Sequence, residues 1–314
     1  MPGEWGIIEC TAGSCGLLWL GSRLGSRDLE AAYANYHTHA DNGVSRGAIG
    51  HALEALTRAY LSEELGYPRV QGPIATAILA LLAHLHPGGR DAFAARVVYL
   101  PRQASGSRLL DVGCGHGRLL ARLVELGWYG RGVDVDPAAV RAARKRGLEV
   151  DLGELGGVGL EPQSFDAIIV NHVIEHVRDS VELLRECRRL LRRGGCLVVV
   201  TPNATGDGHL RFGRDWRGLE PPRHLQIFTP GALRKAALAA GFPDPEIRTT
   251  SAGARFFAEQ SWNIRGLRAG RSHKVGGRTL ITIAALALQY RQRLRLVRDP
   301  SAGDEIILRA HVAT

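Results

Sequence analysis

The stretch Leu109-Leu110-Asp111-Val112-Gly113-Cys114-Gly115-His116-Gly117-Arg118 decides the fold. A short apolar run ends in an acid, three glycines alternate, and apolar residues at helical spacing follow. Glycines at this spacing let the backbone turn sharply from strand to helix and meet a ligand with no side chain between them, so a nucleotide-like cofactor is expected here. Dinucleotide binders use G-x-G-x-x-G. Here the third glycine comes one residue early, at Gly117, and position 118 is Arg, which argues against a nicotinamide pyrophosphate.

Outward from the turn the chain keeps the period of an α/β domain. Leu119, Leu120, Leu123, Val124 and Leu126 recur at helical spacing up to Gly127, a glycine stop. Gly130 to Asp136 reads as a second strand ending in acids, and Pro137 opens a helix that closes at Gly147. Leu148 to Leu152 reads as a third strand. Ser164 to Asn171 is almost continuously apolar, as expected of a strand buried on both faces of a parallel sheet. A helix through Leu183, Leu184, Cys187 and Leu190 is expected to end in Arg192-Arg193-Gly194-Gly195, and Cys196 to Val200 is a fifth strand stopped by Thr201-Pro202-Asn203.

The D-x-G-x-G-x-G pattern from Asp111 to Gly117, with these βα units, resembles the class I S-adenosylmethionine-dependent methyltransferases. The likeness is to the subgroup of ubiquinone-type O-methyltransferases and bacterial small-molecule and cell-envelope glycan enzymes. The resemblance implies a Rossmann-like, doubly wound α/β fold of seven strands with the last antiparallel, and S-adenosylmethionine as cofactor. It places Asp111, Gly113, Gly115 and Gly117 around the methionine part of the donor. Asp134, at the tip of the second strand, would accept hydrogen bonds from both ribose hydroxyls. Asp136, followed by Pro137, reads instead as a helix cap. Glu154 and the Leu155 amide match the adenine position, where many relatives carry Asp, and Asn171 at the end of the fourth strand belongs to the same wall.

In-line transfer to a nucleophile calls for an aligned acceptor and a base near the ends of the fourth and fifth strands. His172 and His176 lie there in sequence. They belong to His172-Val173-Ile174-Glu175-His176, an H-x-x-E-H string also found in zinc proteases. Its place directly after a buried strand disagrees with that reading, and no metal is expected. Gly218 to Thr229 resembles a P-R-H-x-x-x-F-T segment of the same bacterial subgroup; it offers His224 for acid/base work and Arg223 as an anchor for a carboxylate or phosphate. A structural His224 bonding a loop carbonyl is the plainer alternative.

Before the core, Cys10-x4-Cys15 resembles half of a zinc-ribbon knuckle. A complete ribbon needs a second cysteine pair, and Cys114, Cys187 and Cys196 are committed to the core, so residues 1–25 are expected to hold no metal alone. Residues 26–104 read as a helical lead-in. Tyr36 and His37, with Tyr33 and His39, sit where a lid could fold over the cofactor and touch the acceptor, and helices are expected over Arg46 to Leu65 and Pro73 to Leu85. The methyltransferase core spans 105–250, a helical insertion 251–303, and 304–314 carries the terminal strand.

The insertion contains the apolar run Thr279 to Leu288, too short to span a bilayer, followed by Gln289-Tyr290-Arg291-Gln292-Arg293-Leu294-Arg295. A helix capping the acceptor pocket is expected, with contact to a membrane surface or a lipid- or glycan-linked acceptor as the alternative. The net charge is +9, and only Lys145, Lys235 and Lys274 among the 40 basic residues are lysine, which leaves 37 arginines. They are scattered rather than interleaved with stacking aromatics, so nucleic acid is not expected as a partner. No leader pattern opens the sequence, and five cysteines without a pairing framework fit a reducing cytoplasm. The expected activity is methyl transfer to a small-molecule oxygen. A nucleotide-linked deoxysugar carbon is the nearest rival, and a noncatalytic cofactor-binding scaffold is the rival from another class.

Overall fold

The computed structural model describes residues 5–13, 15–21, 48–68, 72–83, 86, 88–104, 106–270 and 275–313. Tyr36 and His37, together with Tyr33 and His39, lie outside them. At the centre is a seven-stranded sheet made of β3 (Arg108–Val112), β4 (Tyr129–Asp134), β5 (Glu149–Leu152), β6 (Phe165–Asn171), β7 (Leu191–Pro202), β9 (Glu246–Thr250) and β10 (Glu305–His311). Its order is β5-β4-β3-β6-β7-β10-β9, with the first five strands parallel and β10 antiparallel to both neighbours. The order reverses between β3 and β6, which opens a crevice at their carboxyl ends.

The apolar runs explain the sheet's interior. Ala167 to Val170 on β6 and Leu197 to Val199 on β7 have no exposed surface, because helices cover both faces. One face meets α6 (Ser180–Leu190) and α8 (Pro230–Ala239) through Leu184, Cys187, Leu233 and Ala236. The other meets α1 (Ala48–Leu65), α3 (Gly89–Ala94), α4 (Arg118–Glu125) and α5 (Pro137–Lys145) through Leu61, Phe93, Leu123 and Val140. Short side chains set where these helices start. Asp136 accepts from the Ala138 N–H at 2.8 Å, Asp179 from Glu182 at 2.9 Å and Thr229 from Ala232 at 3.0 Å. Gly127, with φ of 98°, follows the end of α4 as expected.

Two borders differ from the sequence expectation. α6 stops at Leu190 rather than running into the glycine pair, because Leu191 is buried and already pairs with Phe165 on β6. The register then shifts, and Gly194 and Gly195 turn against Val312 through hydrogen bonds of 3.0 and 3.1 Å. The helix of the insertion is longer than its apolar run. α9 (Ala254–Arg268) packs on α10 (Val275–Leu296), whose inward side carries Ala285, Gln289 and Gln292. The Gln289 side-chain amide donates to the Ser251 carbonyl at 3.0 Å and that of Gln292 to the Asp304 carboxylate at 2.8 Å, so amide groups as well as the apolar contacts of Ala285 and Leu288 seat this helix. Among the described residues no helix is long and apolar enough to cross a membrane.

A second, three-stranded sheet has no counterpart in the sequence reading. The cysteine-bearing segment folds as a hairpin of β1 (Ile7–Glu9) and β2 (Leu18–Leu20), with Cys10 and Cys15 at its turn. β2 pairs with β8 (Gln226–Ile227), directly after His224. α2 (Pro73–Ala83) and α7 (Asp207–Phe212) complete the elements used below.

Candidate active site

The glycine turn sits at the carboxyl end of β3, beside the strand-order reversal. Gly113, Gly115 and Gly117 have φ of 69°, 55° and 76°, a region that only glycine enters freely. A Cβ on Gly113 would stand 2.3 Å from Val173 Cγ2, and one on Gly117 would stand 2.3 Å from Leu148 Cδ1. The Gly113 N–H donates to the Val133 carbonyl at 2.7 Å, and the Gly115 N–H donates to the Asp134 carboxylate at 2.7 Å. The turn and the β4 tip are therefore one unit. The other Asp134 oxygen accepts from the Asp136 N–H at 2.8 Å, which fixes the carboxylate at the strand end.

Asp111 is buried at 2% exposure, and its Oδ2 has no hydrogen-bond partner among the described residues. Burial, with the Asp134 charge adding to it, pushes its pKa up to about 8. A buried carboxyl with one unpartnered oxygen beside a glycine cradle suits the ammonium of a bound amino-acid moiety, and a half-buried carboxylate on the next strand suits a ribose diol. The chain thus fits the adenosyl-methionine donor at both ends. Glu154 is exposed after β5 and Leu155 is buried beneath it, while Asn171 is half-buried at the end of β6.

The histidines separate into two groups. His172 has φ of 54° and sits between two carboxylates, with Nδ1 3.2 Å from Glu175 Oε1 and Nε2 2.9 Å from Glu305 Oε1. Burial disfavours its charged ring, but the hydrogen bonds to Glu175 and Glu305 overcome that and raise its pKa to about 10. Both ring nitrogens carry protons, and both donate. Glu175 is fully buried. Burial would raise its pKa, yet the His172 hydrogen bond and charge hold it down at about 2, and Thr201 Oγ1 donates to its Oε2 at 3.0 Å.

His176 and His224 meet edge to face, with centroids 4.7 Å apart and planes at 71°. Each turns Nδ1 to a carbonyl, His176 to Arg223 at 3.1 Å and His224 to Gly218 at 2.6 Å. A carbonyl only accepts, so in both rings Nδ1 bears a proton. Burial, with the neighbouring His176 adding to it, lowers the His224 pKa to about 4. The Arg223 guanidinium pairs with Glu220, which also pairs with Arg217 at 2.9 Å. The structure thus brings His176, His224 and Arg223 into one loop cluster and holds His172 on its edge. Sequence reading missed Glu175, Thr201, Glu220 and Glu305; only the Glu175-His176 pair carried a local signal.

A family model described as a methyltransferase domain matches residues 82–244, just over half of the chain. The chain is similar to a ubiquinone biosynthesis O-methyltransferase of Methylocella silvestris, 35% identical over 147 residues, covering 40% of this chain and 57% of the relative. It is also similar to one of Xanthomonas campestris, 39% identical over 128 residues, covering 38% and 52%. The chain spans about half the length of the curated relatives it matches. Among solved structures, a phosphoethanolamine N-methyltransferase of Haemonchus contortus in complex with S-adenosyl-L-methionine matches with a TM-score of 0.51 at 17% identity, over 82% of this chain and 60% of that one, which shows the shared fold. With the domain model over its core and the strand order and glycine turn described above, the chain belongs to the class I, S-adenosylmethionine-dependent methyltransferase family.

Proposed function

We propose that the chain transfers a methyl group from S-adenosylmethionine to an oxygen of a small-molecule acceptor. The observation that carries this reading is the buried Asp111 carboxyl, whose Oδ2 has no hydrogen-bond partner among the described residues, beside the glycine turn and one strand from Asp134. The bound donor supplies an electrophilic sulfonium methyl. Asp111 receives its ammonium, Asp134 its ribose hydroxyls, and Glu154 with the Leu155 amide its adenine edge. Oxygen as the nucleophile is supported by the O-methyltransferases among the similar proteins.

On the acceptor side, His224, whose buried ring is held neutral and gives its Nδ1 proton to the Gly218 carbonyl, takes a hydroxyl proton at Nε2, with the His176 ring packed against it. His172 is charged at neutral pH and serves as a clamp between β6 and β10. Arg223, Tyr36 and His37 complete the acceptor side of this proposal.

Calorimetry with S-adenosylmethionine on the native chain and on Asp134→Ala tests the donor half. Two lost charge-assisted hydrogen bonds, each about 1.5–3 kcal/mol, weaken binding by at least about 100-fold; unchanged affinity sinks the assignment. Labelled donor with a panel of phenols, hydroxy acids and deoxysugar nucleotides tests the acceptor half. Label on a hydroxyl oxygen supports the proposal, label on a sugar carbon replaces it, and donor binding without transfer to any of them points to a scaffold.

A further inference from the structure

We propose that the open cavity between α3, α9 and α10 is a binding site for a small organic anion, a single ring carrying a phosphate or carboxylate group. The cavity has a volume of about 250 Å3 and takes its walls from His86, just before α3, from Arg255, Phe256 and Glu259 on α9, and from Leu286 and Gln289 on α10. Sites for drug-sized ligands run to roughly 300–1,000 Å3, so this one suits a ring with its acid group and little more. None of its walls belongs to the donor pocket or to the loop of His176 and His224, and the site stands apart from the methyl-transfer reading.

The polar side of the cavity is cationic. Arg255 Nε donates to the Glu259 carboxylate at 2.9 Å, and neither of its Nη groups has a hydrogen-bond partner among the described residues. Those two groups form the end-on fork that grips two oxygens of one acid group. Glu259 is the only acid among the described residues lining the cavity. Arg293 Nη1 donates to the His86 carbonyl at 2.9 Å, and a Cβ on Gly89 would stand 2.6 Å from Arg293 Nε, so this guanidinium lies against the backbone that opens α3. Arg96 shares a single carboxylate, Glu54, with Arg58 and Arg122, which leaves its charge only partly balanced.

His86 registers the excess of cations. Its Nδ1 accepts from the Gly88 N–H at 3.1 Å, which puts the ring proton on Nε2. Burial, followed by the charges of Arg96, Arg255 and Arg293, holds its pKa below the ordinary histidine value, so the ring is a neutral donor at neutral pH. Cations gathered about a concave site repel one another, and an anion seated there relieves the repulsion. The remaining wall favours a ring over a sugar. Phe256 and Leu286 offer apolar surface, while the Gln289 amide already donates to the Ser251 and Ala252 carbonyls at 3.0 and 2.9 Å.

Calorimetric titration of the full chain with phenyl phosphate and, separately, with benzoate tests the site, with phenol as the uncharged control. The two acids distinguish a phosphate from a carboxylate ligand. At least one of them is expected to bind saturably at one site per chain, and phenol at least about tenfold more weakly. Arg255→Gln should weaken binding at least about tenfold. Glu259→Gln, which removes the carboxylate competing for Arg255, should tighten it about fivefold. Saturating S-adenosylmethionine should leave the probe's affinity unchanged. Circular dichroism confirms that each variant is folded. Failure of both acids to bind overturns the proposal, as does phenol binding equally well, an Arg255→Gln affinity equal to the native one, or displacement of the probe by the donor. A Glu259→Gln chain that binds no better than the native chain would show that Arg255 is not the anion's partner. No step of this test involves methyl transfer, so its failure is separate from failure of that reading.

Discussion

His172 occupies the left-handed region of backbone space, where histidine is among the few side chains other than glycine found with any frequency. What holds it there is the pair of carboxylates on its ring. Truncation to alanine leaves Glu175 and Glu305 facing each other without the intervening cation, and breaking a sealed pair of this kind costs about 3–5 kcal/mol. The ring keeps 36% exposure, so solvent screens part of that loss and about 2–3 kcal/mol is expected for His172→Ala. Urea unfolding at pH 6.5 measures it, and a change within about 0.5 kcal/mol would show that the clamp carries no stability. None of this was legible beforehand. A histidine three residues before a glutamate in a turn looks like a base or a ligand. The residue that decides otherwise, Glu305, is 133 positions away.

The strands and helices of the core were legible because their cause is local in sequence. A short, β-branched apolar run such as Ala167 to Val170 reads as a strand covered on both faces, and Asp136-Pro137 and Thr229-Pro230 mark helix starts through their own side chains. β1, β2 and β8 are two or three residues long and exist only because they pair, so no periodicity could announce them. Their pairing has a consequence for the site. Leu20 donates to the Leu225 carbonyl at 3.0 Å and Thr229 donates to the Cys15 carbonyl, so the hairpin braces both ends of the segment that follows His224. Removing residues 1–20 is expected to speed amide exchange across 218–228 at least about tenfold, equivalent to about 1.4 kcal/mol of local opening. Exchange at 111–117 and donor affinity should stay as they were, since the glycine turn is tied to β4 rather than to the hairpin. Equal loosening of both segments would mean that the two halves of the site fold as one unit.

Across the whole molecule the buried titratable groups give stability a definite pH dependence. Burial raises the carboxyl of Asp111 to about 8 and that of Asp304 to about 7, so in each case the folded chain keeps a proton that the unfolded chain has lost above about 4. Stability therefore falls as pH rises through those intervals. His172 acts in the same direction at higher pH. The hydrogen bonds it donates to its carboxylate partners outweigh its burial, and its contribution is complete below 6.5 and lost as pH climbs toward 10. His224 and Glu175 oppose them only in acid. Burial depresses the first to about 4, so its contribution fades as pH drops below 6.5, and the His172 contacts that outweigh burial hold the second near 2, so its contribution fades below 4.5. Between pH 6.5 and 8 every one of these groups that still titrates drives stability down with rising pH. Each full proton is worth about 1.4 kcal/mol per pH unit, and less for the partly exposed His172. Urea unfolding of the donor-free chain should show a clear decline across that window. Asp111→Asn removes one of the protons, so its decline should be shallower by up to about 1.4 kcal/mol per pH unit. A parallel decline in the variant would mean that Asp111 is already ionised in the folded chain, and that burial does not hold its proton there.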